Sequence, residues 1–141
     1  MTVNTRGYTQ PQRGLTGPAG NVKTFDFGTQ TIAAADLALD RVVALGKIPS
    51  GFVLMSIIYV VTDMDTNGAP ALAFDIGDSG SAARFVSAAT TGQAGGTGTT
   101  LAAAGLYYEF TAETEILWHT QTASATAAAG TIRLFMTGYV K

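Results

Sequence analysis

The chain has 141 residues, 47% hydrophobic and 13% charged, with no cysteine, one histidine and a formal charge of −2. That length supports one self-sufficient core, and the missing thiols exclude disulfides, thiolate zinc sites, iron–sulfur clusters and cysteine nucleophiles. The near-neutral balance offers no field to draw in DNA or RNA. The longest apolar run, Phe52 to Val61, falls short of the roughly 20 residues a membrane helix needs, and no basic flank leads into an apolar stretch at the N-terminus. Nucleic acid and membrane are therefore not expected partners, and the chain reads as soluble and not exported by the signal-peptide route.

Alanine (23), threonine (21) and glycine (17) dominate while Glu and Lys are scarce, a composition that favours pleated strands and turns over exposed helices. Residues 1–22 show neither a two-residue nor a helical period and read as an extended N-terminal arm. Arg6 and Arg13 give the arm +2, while residues 23–141, with six basic and ten acidic side chains, carry −4. The two G-x-y triplets within Gly14 to Gly20 are too few for a collagen helix and suit a Gly/Pro linker.

From Lys23 onward the pattern is strand after strand. Lys23 to Phe27 puts two phenylalanines on one face, and Leu37, Leu39, Val43 and Leu45 predict a strand running through Arg41. Pro49 to Gly51 marks a turn, and Phe52 to Asp63 reads as a central strand covered on both faces. After a polar turn at Asp63–Pro70, strands are expected at Ala71–Ile76 and Arg84–Ala88, then a mobile or functional loop at Thr90–Thr100. Tyr107–Phe110, Thr114–Thr122 and Thr131–Val140 complete the set, with Ala123 to Gly130 as a hairpin tip between the last two. Phe25, Phe27, Phe52, Phe74, Phe85 and Phe135 are the expected aromatic core. About eight strands separated by turn clusters predict an all-β antiparallel sandwich, with a jelly roll as the first topology.

The chemistry on offer is sparse. His119 is the single histidine and no G-x-S-x-G elbow accompanies it, so a nucleophilic triad is not indicated; it reads as a partly buried or interface residue. The carboxylates show no spacing that singles out a glycosidase pair, and Gly92 to Gly98 lacks the G-K-[ST] ending of a phosphate loop. The chain is not expected to be an enzyme. Asp63, Asp65 and Asn67 begin a D-x-D-x-N-G pattern like that of a calcium loop, but position 12 is Phe74, which offers no oxygen. Those residues therefore read as a turn, with calcium the alternative, and no cofactor is expected. Tyr8, Tyr107 and Tyr108 lie outside the predicted core strands or at their margin, and tyrosine favours interfaces.

The stretch Thr62-Asp63-Met64-Asp65-Thr66-Asn67-Gly68-Ala69-Pro70-Ala71-Leu72, followed by Asp75-Ile76-Gly77-Asp78 and Arg84-Phe85, resembles small proteins encoded beside the major capsid protein of tailed bacteriophages. Tyr108 to Thr114 and Ala127 to Arg133 fit the same resemblance, which covers roughly residues 35–141. It implies a capsid decoration, or cement, protein: a virion component, commonly a homotrimer, that binds the major capsid protein on the outer surface and bridges neighbouring capsomers. Charge and composition, rather than any family motif, name Arg6, Tyr8 and Arg13 as anchors of the arm, with Tyr107 and Tyr108 as candidate interface residues. The rival reading is a host-recognition fibre or spike module that binds surface glycan through exposed aromatics and the Thr90–Thr100 loop.

Overall fold

Two antiparallel four-stranded sheets face each other in the computed structural model, which describes residues 21–141. In chain order the strands are β1 (Val22–Ile32), β2 (Val42–Ile48), β3 (Phe52–Val61), β4 (Ala73–Asp78), β5 (Ser81–Ala89), β6 (Gly96–Gly98), β7 (Thr114–Thr122) and β8 (Gly130–Val140). One sheet has the order β1-β8-β3-β6 and the other β2-β7-β4-β5. Six of the seven connections therefore cross between sheets, and only β4–β5 is a hairpin. This is the double Greek-key order of a jelly roll, the topology expected first among those that share this strand spacing. Short 3₁₀ turns occur at Ala34–Leu37, Thr91–Gln93 and Ala103–Gly105, and there is no α-helix among the described residues.

Period-two alternation builds the core. Ile116 and Trp118 on β7, and Ile132, Leu134 and Met136 on β8, point inward, while the residues between them reach toward solvent. Phe74 stacks on Trp118 with ring centroids 4.1 Å apart, and Tyr59 meets Phe74 edge-on at 5.6 Å. At the other end Phe52, Phe85 and Phe110 close the sandwich. Gly138 sits where the backbones of β8 and β3 pass so closely that a Cβ would collide with the Val53 carbonyl.

Several expectations are corrected by the fold. Leu37 and Leu39 do not belong to a strand: Asp36 accepts from the Ala33 amide at 3.0 Å and folds Ala34–Leu37 into a 3₁₀ turn, so β2 starts at Val42. β3 is covered on both faces only at Phe52–Leu54, beyond which Ser56, Ile58 and Val60 are exposed. Within Thr90–Thr100, Gly96–Gly98 forms β6 against Tyr59–Val61. A side chain at Gly98 would run into the Tyr59 ring, so this strand is held by backbone pairing with glycines at both its ends. Phe135 faces outward on β8 instead of joining the core. Tyr107–Phe110 runs beside the start of β3 with one bridge, Val53–Glu109, and four backbone hydrogen bonds. Finally, Ala123 to Ala129 is no hairpin tip, because β7 and β8 lie in different sheets; it is a crossover.

Candidate functional site

The turn after β3 wraps around one carboxylate. Asp65 is buried, whereas Asp63 and Asn67 are exposed. Asp65 Oδ2 accepts from the amides of Ala71 (2.8 Å), Ala125 (2.9 Å) and Leu72 (3.1 Å), and Oδ1 accepts from Thr126 (2.9 Å) and Asn67 (3.4 Å). Burial alone would raise its pKa, but the amides of Thr126, Ala71, Ala125 and Leu72 outweigh that and hold the carboxyl far below the usual range. The D-x-D-x-N-G oxygens thus face N–H donors: Asp63 Oδ1 accepts from Asp65 and Asn67 Oδ1 from Ala69. Asp65, with five amide donors around it, has few lone pairs left to offer an ion. Among the described residues, no three His, Asp or Glu side chains converge as a metal site would require. Asp65 pins the β7–β8 crossover to the β3–β4 turn, and the Asp65–Ala127 bridge and the Thr66–Thr126 backbone hydrogen bond reinforce it.

His119 lies on the outward face of the second sheet, between two carboxylates. Nδ1 is 3.1 Å from Asp75 Oδ2 and Nε2 is 3.1 Å from Asp40 Oδ1. Burial lowers its pKa, yet the hydrogen bonds to Asp75 and Asp40 more than offset that and raise it. Asp75 is buried and also accepts from the Ala88 amide at 2.7 Å. Asp40 is exposed and holds a left-handed backbone, φ 63°. A protonated imidazole donates to both carboxylates and a neutral one to a single partner, so this is a tether for the Ala33–Arg41 segment.

Tyr107 and Tyr108 separate. Tyr107 is 65% exposed and adopts a left-handed φ of 58°, fixed by its amide bonding to Leu54 O at 2.8 Å. A non-glycine residue in that region is uncommon and marks a site held by its surroundings. Tyr108 is half-buried, packs edge-on against Phe85 and Phe110, and lies under the Arg84 guanidinium at 4.5 Å. Arg84 in turn forms a two-point ion pair with Asp78, at 2.7 and 3.2 Å. Sequence reading paired the two tyrosines, whereas the fold gives one to solvent and one to the core margin. Arg6, Tyr8 and Arg13 lie outside the described residues.

Two open depressions lie on the surface of the described residues. One of about 340 Å³ is lined by Tyr59, Ser87, Thr90, Thr91 and Thr100 among others, and one of about 230 Å³ by His119, Asp78 and their neighbours. Among the described residues no helix is long and apolar enough to cross a membrane.

No protein-family model and no curated protein matches the chain. Solved structures do. A chain of the cyanophage Pam1 capsid asymmetric unit superposes with a TM-score of 0.71 and 28% identity, over 89% of each chain. A chain of the Ralstonia phage GP4 capsid superposes with a TM-score of 0.76 and 27% identity, over 89% of this chain and 88% of that one. The chain resembles components of phage capsids. The likeness spans nearly the whole described body and supports a virion structural role. The tethers at Asp65 and His119 hold the β7–β8 crossover and the Ala33–Arg41 segment to the body of the sandwich.

Proposed function

We propose that the protein is a capsid decoration protein, which binds the major capsid protein on the outer surface of a phage shell and bridges neighbouring capsomers. The observation that carries this reading is the likeness, over 89% of the chain, to chains of two phage capsids. The sandwich, residues 23–141, is the rigid body, and it associates as a homotrimer. Residues 1–22 are the attachment arm, with Arg6, Tyr8 and Arg13 as its anchors on an acidic capsid surface. Tyr107, exposed and conformationally fixed, is the contact residue of the tyrosine pair, and Tyr108 supports it from behind. The Asp63–Gly68 turn works without a cation, the buried Asp65 carboxylate at its centre being engaged by amides.

A protein that binds the assembled lattice and not the free subunits stabilises the assembly by mass action, and repeated weak contacts across a symmetric shell add avidity. The test adds purified protein to mature, expanded capsids that lack it. Saturable binding with greater resistance to heat and osmotic shock is expected, and loss of binding when residues 1–20 are deleted assigns the arm its role. Capsids that neither bind the protein nor gain resistance would sink the reading.

The alternative, glycan recognition by a host-binding module, draws on the hydroxyl-lined depression beside Thr90, Thr91 and Thr100. Binding to surface glycan with no binding to capsids would favour it.

A further inference from the structure

We propose that the depression between β5 and residues 100–102 is a binding site for one neutral sugar ring, with the Tyr59 hydroxyl at its centre, and that this site stands beside capsid attachment without depending on it. Strand order puts it there. β5 and β6 are the last strands of their respective sheets, and the chain that leaves β6 returns along β5, where the Ala102 amide donates to the Phe85 carbonyl at 2.8 Å. The gap left between residues 86–91 and Thr100 measures about 340 Å³, at the lower end of the roughly 300–1,000 Å³ typical of ligand sites. Its size suits a single ring better than an oligosaccharide.

Tyr59 is what makes the gap a site. It is only 4% exposed, and its ring meets Phe74 edge-on at 5.6 Å inside the sandwich. Gly98, its register partner on β6, leaves room for the hydroxyl end of the ring, which a Cβ at that position would strike. The tyrosine so placed lines the depression. Among the described residues its hydroxyl makes no hydrogen bond, yet every side-chain nitrogen or oxygen sealed from solvent there has a partner. The hydroxyl is therefore not sealed, and it opens into the depression. A tyrosine hydroxyl in so buried a residue ordinarily bonds to something, and the depression is the side from which a partner reaches it.

The lining chooses the ligand. Ser87, Thr90, Thr91 and Thr100 add hydroxyls that both donate and accept, while Val86, Ala89 and Ala102 supply apolar surface. No lining residue carries a formal charge, so neither an anion nor a cation finds its counterpart. A sugar ring, with hydroxyls on its edge and C–H groups on its faces, offers the same mixture. The walls are also set in advance, which spares ordering cost on binding. The Ala88 amide donates to Asp75 Oδ1 at 2.7 Å and holds a left-handed φ of 52°, and the Gln93 amide closes the Thr91–Gln93 turn on the Thr90 carbonyl at 2.9 Å. An open, uncharged site of this kind gives a Kd on the order of 1 mM, which repetition over a shell would multiply by avidity.

Amide NMR of the full chain, titrated with N-acetylglucosamine and with the methyl glycosides of glucose, galactose and mannose, tests the inference. At least one probe is expected to give saturable shifts centred on Tyr59, residues 87–91 and Thr100. Tyr59→Phe keeps the ring against Phe74 and should weaken binding about tenfold with Tm unchanged, because the hydroxyl has no protein partner to lose. Thr91→Val/Thr100→Val removes two hydroxyls outside the core and should weaken binding as well. Thr24→Val, at the opposite edge of the sheet, should bind as the wild type does. Absence of saturable shifts with every probe overturns the inference, and so does wild-type affinity in Tyr59→Phe or in the double variant. A Tyr59→Phe protein that melts well below the wild type overturns it too, since its hydroxyl would then be bonded within the protein. Capsid binding is scored in parallel and should survive Tyr59→Phe; its loss would assign the depression to the capsid. Failure of the wild type to bind capsids while it still binds a sugar would sink the decoration reading and leave this site standing.

Discussion

Thr120 is buried on β7, and its hydroxyl does two jobs: it accepts from the Trp118 indole N–H at 2.9 Å and donates to the Asp36 carbonyl at 2.7 Å. Thr120→Val keeps the shape and removes both bonds, so no cavity term enters. The indole N–H, fully buried against Phe74, is left with no acceptor. An orphaned buried donor costs about 1–3 kcal/mol, whereas the Asp36 carbonyl, in a partly exposed residue, can turn to water at small cost. The expected loss is therefore about 2 kcal/mol, roughly a thirtyfold change in the folding equilibrium. At about 4 °C per kcal/mol for a domain of this size, Tm should fall by about 8 °C. Thr120→Ser keeps the hydroxyl and loses a methyl group, worth about 1 kcal/mol. Urea unfolding at a single protein concentration, followed by tryptophan fluorescence, gives both values. If Thr120→Ser proves more destabilising than Thr120→Val, packing of the methyl group governs the site and the hydrogen-bond reasoning is wrong.

Two further outcomes are expected. Asp65→Asn puts an amide group, partly a donor, opposite backbone N–H donors, so its Tm should fall much further than that of the exposed Asp63→Asn, while calcium or a chelator leaves the wild-type Tm unchanged; a calcium-dependent rise would restore the metal reading. Because the folded-state pKa of Asp65 is depressed, its contribution is present above the ordinary carboxylate pKa and is lost as pH falls through the folded value; the variant should lose that part of the acid dependence. His119 has a raised folded-state pKa, so its contribution is complete below the ordinary histidine value and fades as pH rises through the folded one. Stability of the wild type measured from acid to mildly alkaline pH should show that decline, and His119→Gln should remove it. An unchanged pH profile in the variant would show that the two carboxylates are not clamped through the ring.

The parts of the fold legible in the sequence are those where one face of a strand meets the core. In β7 and β8 the alternation of Ile116 and Trp118, then Ile132, Leu134 and Met136, is enough to place both strands. Where local polar chemistry overrides alternation, the pattern misleads. Leu37 and Leu39 have strand spacing, yet Asp36 caps a 3₁₀ turn and Asp40 takes a left-handed backbone. β6 leaves no hydrophobic trace, since Gly96–Gly98 contributes backbone alone. Phe135 follows the alternation correctly and faces outward; the expectation that every strand phenylalanine is core overlooked its parity with Arg133. The cradle around Asp65 was visible only as a turn, because its donors at Ala125 and Thr126 lie 60 and 61 residues away.

The strand order also governs how the body can fold. β1 and β3 never touch as neighbours, and β8 lies between them. The first sheet therefore stays in two parts until the last strand arrives, and Asp26, for example, meets Arg133 across 107 residues of chain. Closing so long a loop is entropically costly before any contact compensates, and folds of this kind take milliseconds to seconds. A chain still emerging from the ribosome can pair β3 with β6 but not yet with β8, so one edge of β3 and one edge of β1 stay open until synthesis has passed Val140.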